Sequence, residues 1–169
     1  MSSVMKGWKI EAPSSRQEGD SAPRLVDLLR QQGVEIPLMC GGTGACSTCH
    51  LHVVEGMENL NPPTACEKMM LGLISAAEPR SRLGCQARLI RGKAVVEAPG
   101  VQYLTAFQDL EAMVGLRAPN DIVHPLDGRV LVERGRIITR SRIEAFKSVD
   151  ADIADLTRRA ETQSNLEIL

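Results

Sequence analysis

Residues 40–49 read Cys-Gly-Gly-Thr-Gly-Ala-Cys-Ser-Thr-Cys, and after a further 35 residues comes Cys85. Gly41, Gly42 and Gly44 rule out regular structure here and favour a tightly curved loop, because glycine alone enters positive φ without steric cost. Four thiolates are what a [2Fe–2S] cluster needs, two for each tetrahedral iron. In a curved loop successive backbone N–H groups can point inward at the anionic sulfurs. Those hydrogen bonds stabilise an added electron, so the loop tunes as well as holds. Cys40, Cys46, Cys49 and Cys85 are therefore the candidate iron ligands, and Gly41, Gly42 and Gly44 the candidate cradle.

Zinc also accepts four thiolates, but its sites are usually built from paired short Cys-x-x-Cys units. Here there is one short pair, a glycine-rich gap and a lone fourth ligand. A thioredoxin-like reading of Cys46-Ser47-Thr48-Cys49 would need a preceding strand and a following helix. Cys66 is left over and reads as a small hydrophobe on a half-buried helix. A Rieske-like centre would put two histidines in place of two cysteines, and all four cysteines are present. His50 and His52 alternate on a presumed strand, so at least one should face solvent. Met69-Met70-Leu71 reads as core. His124, in a Pro-flanked loop, receives no function.

Working outward, Pro23 opens a helical segment carrying Leu25, Val26, Leu28 and Leu29, and Gly33 ends it. Residues 50–54 form a short strand, residues 65–75 a helix after the Asn61-Pro62-Pro63-Thr64 turn, and residues 88–97 a closing strand. This is an α+β domain over residues 1–100. Past Pro99-Gly100, residues 101–169 form an extension. A helical segment carries Leu104, Phe107, Leu110 and Val114. A β-hairpin around Arg134-Gly135 and a long terminal helix follow, the helix capped by Ser141 and Glu144. Ile143, Phe146, Ile153 and Leu156 give that helix an apolar stripe that must cover something.

CGGTGACSTCHLHV at 40–53 and RSRLGCQARL at 80–89 resemble adrenodoxin and the bacterial ferredoxins of iron–sulfur cluster assembly. The resemblance spans about residues 24–98 and implies a β-grasp fold. It also implies a soluble carrier passing single electrons from a flavin reductase to an acceptor enzyme, with Cys40, Cys46, Cys49 and Cys85 as ligands. By the same resemblance His50 hydrogen-bonds beside the loop. The family opens on a long β-hairpin, whereas only Gly7–Ala12 look strand-like here, so a shortened N-terminal hairpin is expected. The extension could cover the sheet edge this leaves. Small iron–sulfur subunits of molybdenum hydroxylases would need four more cysteines, and none follows Cys85.

Charge and composition narrow the function classes. Net charge is −1, with 11 basic and 10 acidic residues before Gly100 against 9 and 11 after it, and only four aromatics. Nucleic-acid binding needs a clustered basic surface and stacking platforms, so it is disfavoured. No run of 18 apolar residues and no secretory signal is found, which makes the cytoplasm the default and membrane insertion unexpected. The expectation is a one-electron carrier with one [2Fe–2S] cluster, not an enzyme with bond chemistry of its own, working between a reductase and an acceptor. The alternative is a redox-sensing or electron-transfer subunit anchored to a larger complex. Whether residues 101–169 fold back, homodimerise or dock onto a larger complex stays open.

Overall fold

The computed structural model describes residues 7–12 and 21–166. Its first sheet contains β1 (Trp8–Glu11), β2 (His50–Glu55), β3 (Ser81–Leu83) and β4 (Lys93–Glu97), in the order β1-β4-β2-β3 with every pairing antiparallel. α1 (Leu25–Gln31) lies on it. Asp27 in the first turn suits the positive end of the helix dipole and takes the Arg24 guanidinium at 2.8 Å. Gly33, at φ 76°, turns the chain back so that its N–H reaches the Arg30 carbonyl. The expected apolar face, Leu25, Val26, Leu28 and Leu29, is buried. Three of these four pack with Ile10, Leu51, Val53, Leu89 and Val96 in the main core. This sheet gripped by a helix is a β-grasp. Among the described residues the expected hairpin is a single strand, β1; the rest of that segment, residues 13–20, lies outside them.

α2 (Ala65–Leu71) is shorter than the helix expected over 65–75. The Thr64 side chain caps it by accepting from the Glu67 N–H at 3.1 Å. Both histidines of β2 are buried, against the expectation that one faces solvent. β2 is an inner strand, and His50 and His52 meet edge to face, with centroids 4.9 Å apart.

The extension builds a second, three-stranded sheet from β5 (Val101–Tyr103), β6 (Asp121–Val123) and β7 (Val130–Val132). β5 runs parallel to β6, and β7 antiparallel to it. The hairpin expected around Arg134-Gly135 is displaced by one strand, because β7 pairs backwards with β6. Residues 136–138 run instead beside 116–118, where the Ala118 N–H donates to Arg136 and the Ile138 N–H to Leu116. Three helices complete the extension: α3 (Phe107–Ala112), α4 (Arg140–Ala145) and α5 (Lys147–Leu166). The cap of α4 is Thr139, whose side chain accepts from the Arg142 N–H, and not Ser141; the single long helix expected there breaks at Phe146. Ile143, Val149 and Ile153 join Leu110, Ile122, Val132 and Ile138 in a second core. The apolar stripe is thus used inside the chain.

The extension meets the first unit at the cysteine loop. The Ser47 N–H and Oγ both donate to the Pro125 carbonyl at 2.9 Å, and the Ser75 N–H donates to the Asp127 carbonyl at 3.2 Å. Among the described residues, no helix is long and apolar enough to cross a membrane.

Candidate metal centre

Cys40, Cys46, Cys49 and Cys85 are drawn together from the cysteine loop and the turn after β3, and all four are buried. They form two pairs. The Cys49 Sγ donates to the Cys85 Sγ at 3.3 Å, and the Cys46 thiol donates to Cys40. This donation from Cys46 holds the Cys40 thiol well below the usual thiol range, helped by the Thr43 hydroxyl and the Ala45 and Gly42 amides and opposed by burial. Cys46 is pushed up, first as the donor and then by burial. The other pair repeats the arrangement, with Cys85 lowered by donation from Cys49 and Cys49 raised.

The backbone around these sulfurs is a set of donors. Amides of Gly42 and Ala45 point at Cys40, that of Thr48 at Cys46 and that of Gly44 at Cys85. Gly41, Gly42 and Gly44 sit at φ of 69°, 84° and 78°, the region that lets consecutive amides turn inward. An added Cβ would meet Ala160 at Gly41, the Arg24 guanidinium at Gly42 and the Gln86 side chain at Gly44. The close approaches are therefore to protein neighbours. Gln86 closes the loop by donating its Nε2 to the Gly42 carbonyl at 2.9 Å and to the Cys85 Sγ at 3.5 Å.

This donor set fits a two-iron cluster. Two thiol pairs, each with N–H donors beside it, would supply two ligands to each of two irons.

Several supporting residues escaped the sequence reading. Glu67 is fully buried, not a surface carboxylate. It binds Arg82 through two hydrogen bonds of 2.7 and 3.1 Å and also accepts from the Leu83 N–H at 2.8 Å. This pair ties α2 to β3, and so to the turn that presents Cys85. Glu67 and Met70 stand three apart on one helical face, and both are buried; that spacing was the available signal. Cys66 is exposed, contrary to its reading as a half-buried hydrophobe, with its Sγ 3.7 Å from the Thr43 carbonyl and 3.6 Å from that of Gly44. Met70 is core as expected, but Met69 is 68% exposed. His50 Nε2 meets Ser81 Oγ at 2.7 Å, and burial holds the ring neutral, with a pKa of about 4. His124 is a buried joint, its Nδ1 accepting from the Leu126 N–H and its Nε2 donating to Asp152, each at 3.1 Å.

A family model described as a 2Fe-2S iron-sulfur cluster binding domain matches residues 12–89. The 2Fe-2S ferredoxin of Escherichia coli K12 is 39% identical over 82 residues, which are 48% of this chain and 74% of that protein. A 2Fe-2S ferredoxin of Aquifex aeolicus is 35% identical over 83 residues, covering 48% of this chain and 86% of that one. Among solved structures, an ISC-like [2Fe-2S] ferredoxin from Pseudomonas putida matches with a TM-score of 0.44 and 31% identity, covering 49% of this chain and 76% of that one. The chain belongs to the 2Fe-2S ferredoxin family, whose members hold a [2Fe–2S] cluster and carry electrons.

Proposed function

We propose that Cys40 and Cys46 bind one iron and Cys49 and Cys85 the other, that Gly41, Gly42 and Gly44 shape the cradle, and that the chain shuttles single electrons from a reductase to an acceptor enzyme. The observation that carries this reading is the pairing of four buried thiols inside a ring of backbone donors. When bound, the cluster supplies one-electron redox chemistry. The chain's own residues hold the sulfurs, aim N–H dipoles at them and exclude water. They perform no bond chemistry. On this reading the chain falls in the adrenodoxin and cluster-assembly subclass and works in the cytoplasm. Residues 1–100 act as the redox unit and residues 101–169 as its C-terminal extension.

Ligand assignment is tested by serine variants. Cys40→Ser, Cys46→Ser, Cys49→Ser and Cys85→Ser should each lose the visible absorbance of the cluster or hold it weakly, because one ligand is gone and folding is coupled to metal binding. Cys66→Ser should keep it. Loss in the Cys66 variant, with a normal spectrum in one of the other four, contradicts the assignment.

A further inference from the structure

Two apolar clusters back the cysteines from different parts of the chain. Cys49 and Cys85 pack with Val26, Met70, Ile74 and Leu83 of the first unit. Cys40 and Cys46 pack with Leu156 of α5, with Leu126 alongside. Leu156 is 1% exposed, and an ideal Cβ placed on Gly41 would lie 2.9 Å from the Ala160 Cα, so α5 rests against the loop at backbone contact distance. The helix is pinned there by Asp152, which accepts from His124; the neighbouring Pro125 carbonyl takes the Ser47 N–H from between Cys46 and Cys49.

We propose that α5 is a built-in cover for the Cys40–Cys46 half of the cluster, in which Leu156 and Ala160 keep water away and so hold the reduction potential down. The proposal rests on the ligand assignment above. One electron enters from a protein donor and the same electron leaves to an acceptor, and no bond forms or breaks. That electron adds negative charge to a centre that is already anionic, and charge is disfavoured where water is excluded. The cover therefore opposes reduction, while the amides of Gly42, Gly44 and Ala45 favour it. Leu156 and Ala160 are positioning residues, since they act through the surroundings of the sulfurs.

The test uses the full-length, iron-loaded chain and reads two quantities: the reduction potential, and the rate at which a chelator removes iron. Leu156→Ala should raise the potential and speed iron release by on the order of tenfold, the scale at which residues behind metal ligands act. Leu156→Met should restore both. Ile153→Ala is the control, because Ile153 is buried on the same helix but packs in the extension's own core; it should lower the melting temperature and leave the potential unchanged. If Leu156→Ala does not fold, the smaller truncation Leu156→Val is read in the same way. A wild-type potential and release rate in the folded Leu156 truncation, or an equal potential shift in Ile153→Ala, overturns the cover. A wild-type chain with no visible chromophore overturns the ligand assignment instead.

Discussion

Glu67 and Arg82 are buried to 0% and 2% exposure and meet at 2.7 Å. Taking a carboxylate and a guanidinium out of water is costly, and the bidentate contact with further bonds to the Leu83 N–H and the Asn61 carbonyl offsets that cost. Removing one partner strands the other. Glu67→Ala should therefore destabilise the apo and loaded chain by about 3–5 kcal/mol, measured as a shift in urea midpoint. A loss below about 1 kcal/mol, the scale of an exposed pair, would mean that water reaches Arg82. At this scale the four thiols that come together were legible and their supports were not. Cysteine spacing separates Cys40, Cys46, Cys49 and Cys85 from Cys66 without a structure, because the loop is local in sequence. The partner of Glu67 lies 15 residues away across a turn, and nothing local marks it.

Among the elements, α2 turns its carboxylate inward and its Met69 side chain outward. Electron carriers that dock by charge display carboxylates, yet the one carboxylate of α2 turns inward to Arg82, and Met69 and Leu73 are left 68% and 62% exposed. Attraction between exposed charges is screened over about 10 Å at 0.1 M salt and much less at higher salt. The rate at which a ferredoxin reductase reduces this chain should accordingly change less than about threefold between roughly 0.01 and 0.5 M salt. A fall of tenfold or more would show that charges elsewhere steer docking. Elements with a local cause were legible: α1 from Pro23, its apolar face and Gly33, and β2 from its position after the loop. The hairpin of the extension was misplaced because Arg134-Gly135 is a genuine turn, with Gly135 at φ 79°, but the segment after it joins residues 116–118. Turn chemistry fixes where a chain reverses and leaves the choice of neighbour to tertiary packing.

Across the whole molecule, the cysteine loop is held between two cores. The first sheet and α1 and α2 support Cys49 and Cys85, and α5 and the 124–127 loop close on Cys40 and Cys46. The sequence placed the cluster loop and the change of character after Gly100, because both follow from composition and spacing. It did not place the extension on the loop, since Ser47, Pro125, Leu156 and Ala160 carry no motif and meet only through the fold. The central claim is that this chain carries one electron on one [2Fe–2S] cluster. A reductive titration of the purified chain, followed by visible absorbance and iron analysis, tests it most directly. The account predicts two irons and one electron per chain, at a potential of roughly −400 to −200 mV. A colourless chain holding one zinc, or a couple at positive potential, would contradict it.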